Sequence, residues 1–201
     1  MVALLLLGIF QMAAAGGAEA PPPGTVRIVG VSSNGNGCPP GSTEVILSSD
    51  LLAITAIFSK YTASTPGAVA ERRKSCTLSV DLVYPTGFSY AVATVTYRGY
   101  AQLEKGVVGT LAASYYFSGV PGTVKTLRKL PSPINDNFEY TDKFVTLAYT
   151  PCDLKAPRNL NLKSEIRVTP SKSSSKAAGL ITVDSKDLSL KQIFSLTWEK
   201  C

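Results

Sequence analysis

The chain contains no histidine among its 201 residues. Histidine is the commonest general base in enzymes and a frequent ligand of zinc and copper. Its absence excludes Ser-His-Asp and Cys-His catalysis, together with every metal site built on imidazole. The chain also lacks a Cys-x-x-Cys spacing and a Gly-x-Ser-x-Gly elbow. We therefore predict no catalytic residue, no metal site and no cofactor.

Long apolar runs are absent after the first ten residues, MVALLLLGIF. That opening run is too short to span a bilayer, and the small residues of QMAAAGGAEA follow it. This order is typical of a secretion signal with a cleavage site, so we predict a signal peptide at 1–20 and a single secreted domain at 21–201. The expected product is extracellular and monomeric, without a membrane span.

Export places the four cysteines of the chain in an oxidising environment. We therefore expect two disulfides among Cys38, Cys76, Cys152 and Cys201. Four cysteines allow three connectivities, and pairing by proximity favours Cys38–Cys76 and Cys152–Cys201.

Basic residues outnumber acidic ones by 20 to 14, which gives a net charge of +6. A basic secreted protein attracts acidic polysaccharide, anionic lipid and nucleic acid without specificity, although a merely solvated basic surface has the same composition. No dense Lys/Arg run with interleaved aromatics predicts a specific nucleic-acid surface. We therefore expect a cell-wall polysaccharide or an extracellular protein as the partner.

Short segments rich in β-branched and aromatic residues recur along the chain between clusters of Gly, Pro, Ser and Asn. This pattern predicts an all-β protein, a single antiparallel β-sandwich of about ten strands. The polar segment 170–178 is predicted to be a mobile loop, and a second loop is predicted at 62–74. The predicted strands are 25–31, 43–47, 51–58, 76–84, 88–100, 107–117, 124–130, 144–149, 160–168, 180–183 and 188–198.

Several segments of the chain, taken in order, resemble one known family. They are GTVRIVGVSSNGNGCPPGS, ERRKSC, YPTGFSY, YRGY, YYFSG, the late TPC and the closing LTWEKC. The chain resembles the domain-of-unknown-function 4360 family of small secreted proteins, which are found widely in fungi. The resemblance runs from Gly24 to Cys201 and implies a secreted, disulfide-bonded β-protein. It implies no activity and no functional residues.

Two carboxylates alone can hydrolyse a glycosidic bond when they lie about 5–10 Å apart. The candidates on or beside predicted strands are Glu44, Asp81, Glu104, Glu139 and Glu165. Sequence spacing does not say which of them meet, so a carboxylate-dependent glycoside hydrolase stays open as an alternative function. A membrane-active, toxin-like protein is a further alternative, but it requires an amphipathic segment that the sequence does not offer.

Four residues are predicted to form a binding face. Tyr90, Arg98 and Tyr100 are separated by even numbers of residues in one predicted strand, so they share one face, and Tyr115 lies near the end of a strand that we expect beside it. Tyrosines with a nearby Arg suit stacking on sugar rings or contact with a protein. We therefore predict a non-catalytic extracellular protein that binds cell wall, carbohydrate or a host surface. The alternative is structural: tyrosine is an ordinary strand residue, and Arg98 pairs with Asp81 or Glu104.

Overall fold

The computed structural model describes residues 20–152, 158–170, 176–182 and 190–201. Within these residues the predicted all-β fold is confirmed: twelve strands form two antiparallel sheets, with one four-residue helix, α1 (Val69–Arg72). The strands are β1 (Arg27–Asn34), β2 (Thr43–Leu47), β3 (Ala53–Phe58), β4 (Ala63–Thr65), β5 (Arg73–Val83), β6 (Phe88–Leu103), β7 (Val108–Phe117), β8 (Val124–Lys129), β9 (Ile134–Lys143), β10 (Leu160–Thr169), β11 (Gly179–Thr182) and β12 (Leu190–Lys200).

Some sequence predictions fall on residues outside this description. They are most of the predicted signal peptide (1–19), the centre of the predicted mobile loop (171–175), and positions 183 and 188–189 at the ends of two predicted strands. No helix among the described residues is long and apolar enough to cross a membrane.

The two sheets have different sizes and share one core. The smaller sheet has the strand order β1-β5-β10-β7-β8. The larger sheet has the order β2-β3-β12-β6-β11-β4, and β9 pairs with β6. Alternate residues of most strands are buried, as in a sandwich whose outer faces contact solvent. Both outer faces are therefore available surfaces.

Aromatic rings fill one end of the core. The Tyr90 ring lies 5.0 Å from that of Trp198 and 5.2 Å from that of Phe117, measured between centroids. The indole Nε1 of Trp198 donates a hydrogen bond of 3.0 Å to the carbonyl of Leu51. The single tryptophan is thus buried with its one polar atom satisfied, which is the usual condition for burying an indole.

Three strand predictions need correction. The segment 144–149 is not a strand; β9 lies just before it, in a stretch that reads as polar. Polar residues suit β9 because only three of its side chains, Ile134, Phe138 and Tyr140, pack against the core as apolar groups, beside the central strand β6. The segment after β9 still follows β6, since the Phe144 amide donates to the Ala93 carbonyl at 3.0 Å. The predicted loop 62–74 contains β4, α1 and the start of β5.

Both predicted disulfides are confirmed, Cys38–Cys76 and Cys152–Cys201. They close loops of 38 and 49 residues. In the chain-entropy account each raises the free energy of the unfolded state by about 4 kcal/mol. Cys38 and Cys76 are buried, whereas Cys152 and Cys201 are exposed.

Candidate binding surface

A β-bulge divides the strand that was predicted to carry the binding face. The register between β6 and β12 shifts between Ser195 and Leu196, which places the extra residue of β6 at Ala93. A bulge shifts the alternation by one residue, so side chains beyond it point to the opposite faces. Tyr90, before the bulge, therefore points into the core, and Tyr100, after it, points outward.

The four residues of the predicted face do not lie together. Tyr90 and Tyr115 are each 0% exposed, and burial raises the pKa of both phenols. The hydroxyl of Tyr115 accepts a hydrogen bond of 2.9 Å from the Ala148 amide inside the fold. Only Arg98 and Tyr100 reach the surface. Tyr90 and Tyr115 are therefore structural residues, as the alternative interpretation held.

The surface around Arg98 and Tyr100 satisfies its own polar groups. The Arg98 guanidinium pairs with Glu139 at 3.1 Å, and not with Asp81 or Glu104. The Tyr100 hydroxyl donates to Asn135 on β9. Glu139 thus neutralises the charge of Arg98, and Asn135 accepts the phenolic proton of Tyr100.

The outer face of the smaller sheet has the opposite character. Among the described strand residues, six exposed cationic side chains project from it: Arg27, Arg73, Lys125, Lys129, Lys163 and Arg167. Two carboxylates share this face, Glu165 and, at the far end of β5, Asp81. The surplus of four positive charges compares with a net charge of +6 for the whole chain. We call this surface the basic face.

A trough runs along the middle of the basic face. Its floor is the outer side of β7, where the side chains are short: Thr110, Ala112 and Ser114. Its walls are the longer side chains of the neighbouring strands, and it encloses about 460 Å³. The lining side chains of the walls include Lys125 and Leu127 on β8, and Lys163 and Glu165 on β10.

The strand register places four cations of the basic face in two facing pairs across β7, and the first of these pairs lines the trough. Lys125 and Lys163 both flank Ser114, one from each neighbouring strand. Lys129 and Arg167 flank Thr110 in the same way. Adjacent strands are about 4.8 Å apart, so each pair spans roughly 9.5 Å, and the two pairs lie roughly 13 Å apart along the strands. An extended chain with repeated negative charges fits this spacing.

The charges of the basic face are only partly neutralised. The Glu165 carboxylate lies 2.6 Å from Nη2 of Arg73 and 3.5 Å from Nε of Arg167. Its hydrogen bond and charge raise the pKa of Arg73. Within the described part of the chain, no ion pair involves Lys125, Lys129 or Lys163. These lysines keep the trough positive.

The structure offers little for the carboxylate alternative. Glu139 and Glu165 pair with arginines on opposite sheets, and Glu104 accepts a 2.8 Å hydrogen bond from the Ala178 amide. Asp81 lies beside Gly30 on the small sheet, and Glu44 lies on β2 of the large one. Among the described residues, no group of three or more His, Cys, Asp or Glu is arranged to hold a metal ion.

The trough uses residues that the sequence did not single out. In β7 the outward aromatic is Tyr116, at the end of the trough floor, and not Tyr115. The alternation of β7 could have predicted that Tyr115 points inward and Tyr116 outward, because Leu111, Ala113 and Tyr115 form the buried side of this strand. No local signal marks Lys125 and Lys163, which meet across β7 only through long-range strand pairing.

Comparisons with known proteins agree with the sequence resemblance. Residues 24–201 match the model of a family described as Domain of unknown function (DUF4360). Over 190 residues the chain is 40% identical to an "Uncharacterized secreted protein" of Arthroderma benhamiae, covering 92% of this chain and 76% of the relative. The secreted relative and the two disulfides place this protein outside the cell.

Two solved structures show weak similarity. The enzymatically active domain of bacteriophage CBA120 tailspike protein 4 gives a TM-score of 0.26 at 10% identity, over 89% of this chain and 20% of that one. Deformed wing virus, a honeybee pathogen, gives a TM-score of 0.25 at 12% identity, over 98% of this chain and 54% of that one. This chain spans about a fifth and about half of those two chains, and the similarity carries no functional argument. The family match and the relative together establish that the chain belongs to the DUF4360 family.

Proposed function

We propose that this secreted protein is a non-catalytic protein that binds acidic cell-wall polysaccharide, and that the polysaccharide binds in the trough along β7. The observation that carries the proposal is the pairing of cations across a floor of short side chains. Negative groups on an extended polymer would contact Lys125 and Lys163 at one position and Lys129 and Arg167 at the next. At physiological salt, screening acts over about 8 Å, so the attraction between these cations and an anionic group a few ångströms away persists.

The remaining lining residues suit a sugar chain. Leu127 is 63% exposed on the trough wall, where it offers an apolar surface to the CH face of a sugar ring. The Ser114 hydroxyl on the floor can donate and accept hydrogen bonds with sugar hydroxyls. Tyr116 ends the floor with an aromatic ring of the kind that stacks on sugars.

A nucleic acid fits this surface less well. Single-stranded nucleic acids are held by several aromatic side chains on which successive bases stack. The outer side of β7 carries one aromatic residue, Tyr116. The proposal is therefore restricted to polysaccharide, and nucleic acid is an outcome that the experiment must exclude.

The experiment is co-sedimentation of the oxidised protein with cross-linked polygalacturonate, chitin, cellulose and β-glucan across a salt series. We expect binding to polygalacturonate at about 0.05 M salt and at least tenfold weaker binding at about 0.5 M, where charges are screened within a few ångströms. Single-stranded DNA of matched charge serves as the competitor. It should displace the protein only at a large excess.

A pair of matched variants locates the binding. Lys125→Glu with Lys163→Glu reverses two charges on the trough walls, and Lys60→Glu with Lys143→Glu reverses two exposed charges elsewhere. The first variant should lose polygalacturonate binding and the second should keep most of it. Equal loss in both variants, or equal binding to the neutral polymers, would contradict the proposal.

A further inference from the structure

A second pocket lies beside the trough, where α1 meets the start of β5 and the end of β10. It encloses about 230 Å³ and is lined by Arg72, Arg73 and Arg167, together with Val69 and the last residues of β10. Three guanidinium groups therefore line one small pocket. Among the pockets described here it has the densest positive charge.

Each of the three arginines is held by one part of its side chain. The Nε of Arg72 donates a hydrogen bond of 2.8 Å to the Gly67 carbonyl. Arg73 contacts Glu165 through Nη2, and Arg167 contacts the same carboxylate through Nε. A guanidinium has five N–H donors, so the contacts described for each arginine leave most of its donors for a ligand. The site is thus preorganised and still has hydrogen-bonding capacity.

The charge of the pocket is not balanced within the protein. Within the described chain, Glu165 is the one carboxylate that pairs with any of the three arginines, and it contacts Arg73 and Arg167. The nearby Glu71 pairs with Lys74 at 3.0 Å. Three guanidinium groups and one carboxylate leave two positive charges, which match a phosphate group with its charge of about −1.5 to −2 at neutral pH.

We propose that Arg72, Arg73 and Arg167 form a binding site for a phosphate group, separate from the trough. Guanidinium groups bind phosphate oxygens through parallel charge-assisted hydrogen bonds, which a lysine does not reproduce. The phosphate comes from solution as the free ion or is carried as an ester on an extracellular glycan. The site does not require the trough to bind polysaccharide, although Arg167 borders both.

The test is a titration of the oxidised protein with inorganic phosphate, with ionic strength held constant by NaCl. NMR signals of the arginine Nε–Hε groups report binding directly. We expect saturable shifts for the three arginines, and affinity at least about tenfold weaker in Arg72→Ala and Arg167→Gln. Arg167→Lys keeps the charge and should bind more weakly than the wild type. A parallel titration with glucose 6-phosphate shows whether an ester also binds.

Two controls separate this site from the trough and from net charge. Arg98→Gln removes an equal charge from the opposite outer face and should leave phosphate binding unchanged. The Lys125→Glu, Lys163→Glu variant should still bind phosphate even though it loses polysaccharide. The proposal is overturned if the three arginine signals do not saturate, or if Arg98→Gln weakens phosphate binding as much as Arg167→Gln. Neither result would affect the polysaccharide proposal.

Discussion

Arg73 on β5 and Arg167 on β10 lie directly opposite each other in the strand register, on the same outer face. Like charges at directly opposed positions of an antiparallel pair destabilise the sheet. Glu165 contacts both guanidinium groups and offsets part of this repulsion. The opposed arginines therefore lower the stability of the sheet locally. A role of both arginines in ligand binding explains why they occupy these positions.

Removal of one arginine should therefore stabilise the fold while it weakens phosphate binding. Arg167→Thr removes the repulsion, leaves Arg73 paired with Glu165, and adds a β-branched residue that suits a strand. We expect the free energy of unfolding to rise by up to about 0.5 kcal/mol. Urea unfolding measures the change. A loss of more than about 1 kcal/mol would mean that Arg167 is a structural residue.

The bulge at Ala93 makes two tyrosines of one strand respond differently to truncation. Tyr90→Ala removes a fully buried ring and should cost about 3–5 kcal/mol of unfolding free energy. Tyr100→Ala removes an outward side chain and should cost less than about 1 kcal/mol. Thermal or urea unfolding of the two variants tests the assignment. Similar losses in both would place the two rings on the same face and contradict the bulge.

Two buried hydroxyls should also differ in what they contribute. The Tyr61 hydroxyl lies 2.9 Å from that of Ser164, whereas the buried Tyr97 hydroxyl has no hydrogen-bond partner among the residues that the structure describes. Tyr61→Phe should therefore cost about 1 kcal/mol, the usual value for one internal hydrogen bond. Tyr97→Phe should be neutral or stabilising, because it removes an unsatisfied polar atom from the core. The opposite order in urea unfolding would contradict these contacts.

The buried tyrosines predict unfolding at alkaline pH. Burial raises the pKa of Tyr61 and of Tyr97 above the usual value of about 10. The unfolded chain therefore loses these phenolic protons at lower pH than the folded chain, so stability falls as pH rises above about 10. Below that pH these groups are neutral in both states. Without histidine, no side chain with an ordinary pKa titrates between about pH 5 and 8, and stability should be nearly flat there.

Tyrosine absorbance and circular dichroism, followed together through an alkaline titration, test this prediction. The ionisation of the buried phenols should coincide with the loss of β-structure. If the phenols all ionise near pH 10 while the fold stays intact, the tyrosines are not buried as described.

The sequence predicts the parts of this fold that depend on local pattern. Residues 43–47 are rich in β-branched side chains and form β2 with those bounds, and each disulfide joins cysteines that are neighbours in the order of the chain. The bulge at Ala93 follows from the pairing of β6 with β12, which lies far away in sequence. Alternation counted along β6 alone therefore places Tyr90 and Tyr100 on one face.

Local sequence pattern does not predict the trough, for the same reason. Lys125 and Lys163 belong to different strands and become a pair only because both strands flank β7. The strand β9 was not predicted because only Ile134, Phe138 and Tyr140 mark its inward side among mostly polar residues. In each case the informative contact joins segments that are distant in the chain.

The most direct test of the polysaccharide-binding account is a backbone amide NMR titration of the labelled protein with polygalacturonate oligosaccharides. The account predicts the largest shifts at Ser114 and Leu127 and at Lys125 and Lys163, with little change around Arg98 and Tyr100. Shifts concentrated around Arg98 and Tyr100, or no saturable shifts at all, would contradict it.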